Sequence, residues 1–147
     1  MREFAQYVKN DELRTVFEQH ALETEEQITR LEEILTSAGE ETDGEVPAAI
    51  DGIIDDSEML AGQDLQDYVR DVAIASAARK MKHYEIGCYV TAIALAGQLS
   101  LESVASSLRK SLKEEERADS RIAQALRDLS VDFTPRESQP AGLAELL

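Results

Sequence analysis

Three long stretches of the chain repeat apolar residues at steps of three and four, and none of them contains a proline. They cover residues 11–38, 64–97 and 101–129. This spacing places apolar side chains along one face of an α-helix, which turns once every 3.6 residues. Proline and glycine, the residues that interrupt helices, number only 3 and 7 among 147 residues, so the composition also favours helices over strands. The chain is therefore predicted to be all-α.

Local signals mark the ends of these helices. Asn10 or Asp11 is a suitable N-cap for the first long helix, and Gly39 is a suitable residue to end it. Ser100 is predicted to be the N-cap of the last helix. The residues that we expect to face the core are Leu13, Val16, Phe17, Ile28, Leu31, Leu35, Val69, Val72, Ile74, Ala75, Ala77, Ala78, Met81, Leu101, Val104, Leu108, Leu112, Ile122, Leu126 and Leu129.

The connections between the helices differ in length. Roughly 24 residues, with a short helix between Pro47 and Gly62, join the first long helix to the second, whereas a tight turn joins the second to the third. One long crossover followed by a hairpin is typical of ferritin-like four-helix bundles. The spacing thus predicts such a bundle in residues 1–130, with a truncated first helix before Asn10 and a flexible C-terminal tail at 131–147.

The charge of the chain excludes several kinds of partner. Thirty acidic and 15 basic residues give a net charge of −15, and no basic stripe is present to neutralise the phosphates of nucleic acid or of an anionic membrane. No apolar stretch reaches the length of a membrane span, and the N-terminus lacks the pattern of a signal peptide. With one cysteine, Cys88, which we expect to be buried, the sequence predicts a reduced, cytoplasmic protein.

Five polar side chains interrupt the apolar faces and are candidate metal ligands. His20 and Glu23 lie one turn apart on the first long helix, Glu85 lies in the Ala-rich second helix, and Glu115 and Asp119 replace core residues on the third. Carboxylates and imidazole on facing helices are the ligands with which bundles hold iron or manganese. The alternative is that these groups lie on solvated helix faces. The sequence contains no phosphate-binding loop, nucleophile elbow or zincin motif, so no catalytic residue is assigned.

Glu85 is the most informative of these residues. An unpaired carboxylate in an apolar helix costs several kcal/mol, so something must compensate its charge. A metal, His20, Lys82 or water could do so. The residues alone leave this choice open.

Four stretches of the chain resemble the YciF/YciE-like family of bacterial stress-induced ferritin-like proteins. They are residues 11–13, 17–32, 83–86 and 112–119, of which the His-x-x-Glu-Thr segment at His20 and the His-Tyr-Glu-Ile segment at His83 are the most specific. The resemblance implies a ferritin-like bundle, a dimer and a rubrerythrin-like di-metal centre. It also implies a longer first helix with a Tyr-x-Ala-Glu segment, whose glutamate would align before Met1, and an acid where this chain has Lys82.

Two hypotheses about function follow. The first is a ferritin-like stress-response protein with an iron or manganese site, where Fe²⁺ oxidation or peroxide reduction would be the chemistry. The second is a metal-free helical bundle that acts as a structural or assembly protein. In both we expect a homodimer that covers the inner face left open by the short first helix, near the first long helix. Another protein partner is not identified by the sequence.

Overall fold

In the computed structural model, which describes residues 2–42 and 44–129, the chain forms five helices. They are α1 (Arg2–Tyr7), α2 (Asp11–Ala38), α3 (Ala48–Ala61), α4 (Asp67–Gln98) and α5 (Glu102–Asp128). These described residues contain no strand, which confirms the all-α prediction. The predicted flexible tail at 131–147 lies outside them.

The helices are arranged as the predicted ferritin-like bundle. The helices α4 and α5 form a hairpin, α2 packs on α5, the short α1 packs on α2 and α4, and α3 packs on α4. The long crossover through α3 returns the chain to the end of the bundle where α2 begins, so α2 and α4 run parallel. Contacts from Asn10 to Asp71 and from Gln27 to Tyr89 show this register. Residues from α2, α4 and α5 therefore meet at the same height in the bundle.

The predicted ends of α2 are confirmed. The side chain of Asn10 accepts a hydrogen bond of 2.9 Å from the backbone N–H of Leu13, as an N-cap does. At the other end, Gly39 adopts a left-handed conformation with φ of 77°. Glycine is suited to this position because it has no Cβ to clash with the backbone.

Ser100 is not the N-cap of α5, which corrects the prediction from sequence. It has a left-handed φ of 57°, its N–H bonds to the carbonyl of Gly97, and the N–H of Leu101 bonds to the carbonyl of Ala96. These two bonds form a Schellman motif that ends α4. A polar residue between two helices can cap the following helix or end the preceding one, and Ser100 ends the preceding helix, α4.

The apolar core lies at the end of the bundle that α1 covers. Phe4 of α1 packs against Phe17 of α2 with ring centroids 6.1 Å apart. The other buried core residues are Ala5, Val8, Leu13, Ile74, Ala75, Ala77, Ala78, Met81, Ile122 and Ala125. Most of the predicted core positions at this end of the helices are thus confirmed.

Four residues predicted to be buried are instead exposed. Ile28, Leu31 and Leu101 lie toward the other end of the bundle, as does Cys88. The described part of α1 extends to Arg2, which forms an ion pair with Glu25 of α2. Beyond that point no described element covers these faces.

Asp71 fixes the turn between α1 and α2. Its buried carboxylate accepts hydrogen bonds from the backbone N–H groups of Lys9 and Asn10, at 2.7 and 2.8 Å. Hydrogen bonds to a charged acceptor contribute more than neutral ones, and the two N–H groups would be left without a partner if the carboxylate were removed.

We therefore expect Asp71→Ala to lower the free energy of unfolding by roughly 2–4 kcal/mol. Urea denaturation followed by circular dichroism measures this change. The matched control is Asp67→Ala, because Asp67 makes only an exposed ion pair with Arg70 on the same helix and should cost less than about 1 kcal/mol. Equal losses in the two variants would contradict the role given to Asp71.

Candidate functional site

A lysine lies at the centre of the polar cluster that the bundle encloses. The side chain of Lys82, on α4, is 1% exposed. Its Nζ lies 2.6 Å from Oε2 of Glu115, 2.5 Å from Oε2 of Glu85 and 2.7 Å from Nε2 of His20. The contacts with the two carboxylates are ion pairs by distance, without the angles of good hydrogen bonds. The ammonium group of Lys82 thus contacts three polar side chains, one on α2, one on α5 and one on its own helix, α4.

His20 connects this ammonium to the edge of the cluster. The ring is buried, its Nδ1 lies 3.1 Å from Oε2 of Glu23, and its Nε2 lies 3.4 Å from Oε1 of Glu115. Nε2 of His20 therefore lies between the Lys82 ammonium and the Glu115 carboxylate, while Nδ1 faces the carboxylate of Glu23. Glu23 thereby fixes the orientation of the ring.

The two carboxylates in contact with Lys82 have pKa values shifted in opposite directions. Burial would by itself raise the pKa of the Glu115 carboxyl, but contact with the His20 ring and the charge of Lys82 outweigh it and hold this pKa at about 2. For Glu85, desolvation dominates over the attraction of Lys82, and the nearby Glu115 adds repulsion, so its pKa is raised. Glu115 is the carboxylate whose negative charge the site stabilises.

Four of the five residues predicted as ligands come together here, and Asp119 does not. His20, Glu23, Glu85 and Glu115 all belong to the cluster. Asp119 instead pairs with Arg79, whose Nε and Nη2 donate to its two oxygens at 2.7 and 3.1 Å. The reason is the rotation of α5, which turns the small side chain of Ala118 toward the bundle interior in place of Asp119.

The cluster does not fit the metal centre that the family resemblance implies. A divalent ion held by His20, Glu85 and Glu115 would need their ligand atoms at about 2.0–2.2 Å from a common point. The Lys82 ammonium lies between these three groups, and its positive charge would repel the ion. Among the described residues, no three His, Cys, Asp or Glu side chains form a ligand set around a vacant point.

A second buried polar network, which the sequence does not predict, lies about two turns further along α2 and α4 than His20 and Lys82. Tyr89 donates to Oε1 of Gln27 at 3.2 Å, and Gln27 donates through Nε2 to Glu114 at 3.2 Å. Arg30 donates to Glu114 at 2.8 Å and to Ser111 at 2.6 Å. Burial raises the pKa of the Tyr89 hydroxyl, which keeps it a donor. This network again neutralises a buried glutamate with a basic side chain of the same chain.

In sequence, this protein is 29% identical to the protein YciF of Escherichia coli over 140 residues, which are 95% of this chain and 82% of that one. The crystal structure of the E. coli stress protein YciF matches with a TM-score of 0.81, covering 86% of this chain and 80% of that one at 29% identity. YcfI of Rhodopseudomonas palustris, a proposed structural protein, matches with a TM-score of 0.77 at 30% identity, covering 88% and 80% of the two chains.

The similarity extends to a whole family. Within the described residues, every helix is too short or too polar to span a membrane. A family described as a domain of unknown function, DUF892, matches residues 1–134. The chain is a member of the DUF892 family.

Proposed function

We propose that this protein is a metal-independent structural member of the stress-protein family, in which Lys82 supplies the positive charge that a metal would supply in a ferritin-like centre. The observation that carries the proposal is the position of the Lys82 ammonium, buried and within 2.7 Å of His20, Glu85 and Glu115. The description of YcfI as a proposed structural protein agrees with this role.

The charges of the cluster support this proposal. Glu115 is fully buried, and its low pKa keeps it ionised at neutral pH. Lys82 is its close cationic partner, and a buried ion pair of this kind needs no added ion for its charge to be compensated. The competing hypothesis, an iron or manganese protein that oxidises Fe²⁺ or reduces peroxide, requires Lys82 to leave its partners and enter solvent.

We expect the protein purified from cells supplied with iron and manganese to contain far less than one metal ion per chain. Adding Mn²⁺, or Fe²⁺ without oxygen, should leave the melting temperature unchanged, whereas a ligand at 100 times its Kd would stabilise the fold by about 2.7 kcal/mol. Elemental analysis and thermal unfolding measure the two quantities. A stoichiometric metal that is lost in Glu115→Gln would overturn the proposal.

A gain-of-binding variant provides the matched control. Lys82→Glu removes the ammonium and adds a carboxylate next to His20, Glu85 and Glu115, so we expect it to be unstable alone and to be stabilised by Mn²⁺ or Co²⁺. Absorbance of bound Co²⁺ and the melting temperature report this binding. If metal stabilises Lys82→Glu but not the native chain, Lys82 is the residue that prevents metal binding.

A further inference from the structure

The exposed face of α5 carries a row of basic side chains, contrary to the expectation that the chain has no basic stripe. Between residues 106 and 127 this face holds six of the 15 basic residues and a single exposed acid, Glu116. Four of the bases recur at every fourth position, so they lie along one ridge of the helix, about 6 Å apart. The six residues, called here the basic stripe, are Arg109, Lys110, Lys113, Arg117, Arg121 and Arg127.

The basic stripe has few acidic partners within the chain. Elsewhere, four arginines contact a carboxylate at 2.7–3.0 Å: Arg14, Arg30, Arg70 and Arg79. Three stripe residues reach a carboxylate only at 3.8–3.9 Å, and among the described side chains Lys113, Arg121 and Arg127 form no ion pair. Acids outnumber bases two to one in this chain, so bases that still lack a close partner are available to a ligand from outside.

We propose that the basic stripe is a docking surface for an acidic α-helix of another protein, one that presents carboxylates along a single ridge. The proposal adds a partner to the structural role and does not rest on the Lys82 cluster. Glu115, the residue of α5 in that cluster, lies on the buried side of the helix, whereas the stripe lies on the exposed side.

An α-helix with an acid at every fourth position has the same spacing as the stripe. Its ridge of carboxylates rises about 6 Å per acid, as does the row of bases from Arg109 to Arg121. Two helices whose ridges of this kind run side by side cross at about −50°, the commonest packing angle in globular proteins. Each of the four bases in the row can then face one carboxylate of the partner.

The acids that border the stripe favour a helix over nucleic acid or a membrane surface. The stripe is one helix wide and about 27 Å long, and Lys110 and Arg117 lie 3.9 and 3.8 Å from Glu26 and Glu23 of α2. A duplex carries one charge per about 1.7 Å on two strands, and an anionic membrane extends in every direction, so both would also meet these acids. A single helix, about 10–12 Å across, is narrow enough to contact the stripe alone.

Fluorescence anisotropy of labelled peptides with the full chain tests this docking. The probe is a capped, alanine-rich peptide of about 20 residues, long enough to form a helix, with glutamate at every fourth position. Its control has glutamine at those positions. We expect only the glutamate peptide to bind, and less tightly as salt rises from about 0.01 to about 0.15 M, because the Debye length shortens from about 30 to about 8 Å. Equal binding of the two peptides, or no binding of either, would overturn the proposal.

Two charge-reversed variants of equal net charge separate the stripe from the overall charge. Lys113→Glu with Arg121→Glu should weaken binding of the glutamate peptide roughly 10-fold or more, because two attractive contacts become repulsive. Lys9→Glu with Lys80→Glu reverses two exposed bases outside the stripe and should weaken it by no more than about 2-fold, since solvent screens distant charges. Circular dichroism shows whether each variant is folded, and the neutral pair Lys113→Gln with Arg121→Gln should weaken binding in the same direction. Equal losses in the two charge-reversed variants would contradict the proposal.

Other occupants of the stripe are distinguished with the same variants. A labelled 20-base-pair duplex or a phosphatidylserine vesicle could bind the native chain more tightly than the glutamate peptide does. If that binding were lost in Lys113→Glu with Arg121→Glu, the stripe would recognise phosphate and the proposal would be wrong. Sedimentation of the native chain alone tests for a second copy: self-association that this variant abolishes would also overturn the assignment to another protein.

Discussion

Lys82→Met is expected to lower the free energy of unfolding by roughly 3–5 kcal/mol, because it leaves a buried carboxylate without its partner. Lys82 is the cation that lies between Glu85 and Glu115, and the two carboxylates would then face each other across the vacated position. Methionine fills a similar length of apolar space, so the loss reports mainly the missing charge. Urea denaturation at neutral pH measures it.

Two further variants separate charge from packing. Lys80→Met removes an exposed lysine two residues away on the same helix and should change stability by no more than about 0.5 kcal/mol. Adding Glu115→Gln to Lys82→Met removes the stranded charge, so the double variant should be more stable than Lys82→Met alone. If the double variant lost as much stability as the two single variants added together, Lys82 and Glu115 would act independently. That result would contradict an energetic role for their 2.6 Å contact.

The fold could be predicted from the sequence because each helix combines a strong apolar period with end signals. The predicted start and end of α2, residues 11 and 38, agree with the structure. The α4 helix begins three residues later than predicted and ends one residue later, at Gln98. Burial was harder to predict than helix position, because whether Leu31 faces protein or solvent depends on how far α1 reaches. The apolar period of α2 does not indicate how far α1 extends along it.

The site could be predicted only in part, for reasons that lie in α5. Every residue in 113–117 is charged, so the apolar period is lost where the register of the buried face must be chosen. The apolar period predicts a buried face through Leu112, Glu115 and Asp119, whereas the observed buried face runs through Ser111, Glu115 and Ala118. This buried face contains small residues because α5 packs closely on α4. Their weak hydrophobicity makes the face difficult to recognise in the sequence. A shift of one residue turns a side chain by about 100° on a helix.

Lys82 shows a different limit of sequence analysis. The sequence offers Lys82 as one of four groups that could compensate the charge of Glu85, but a lysine in a helix is usually solvent-exposed. Its burial follows from the meeting of three helices at one height, with His20 and Glu115 contributed by the other two. No single helix predicts this convergence, because each presents only one or two polar groups to it.

Glu115→Gln is expected to destabilise the protein at neutral pH and to have progressively less effect as the pH falls. The folded-state pKa of Glu115, about 2, lies below its ordinary value of 4.5. The stabilisation is therefore fully present above the unfolded pKa and is lost as the pH falls from about 4.5 to about 2. The difference between these values corresponds to on the order of 3 kcal/mol. Stability of the native and variant chains, measured by urea denaturation across this range, should converge at its acid end.

Glu85→Gln should have the opposite dependence on pH, because the pKa of Glu85 is raised in the folded state. Its contribution is fully present below the unfolded pKa and is lost as the pH rises through the folded pKa, so this variant should cost less than Glu115→Gln at neutral pH. Glu116→Gln, an exposed neighbour of Glu115, is the control and should change stability by no more than about 0.5 kcal/mol. If Glu115→Gln lost the same stability at every pH, the loss would come from packing, and Glu115 would not be the ionised partner of Lys82.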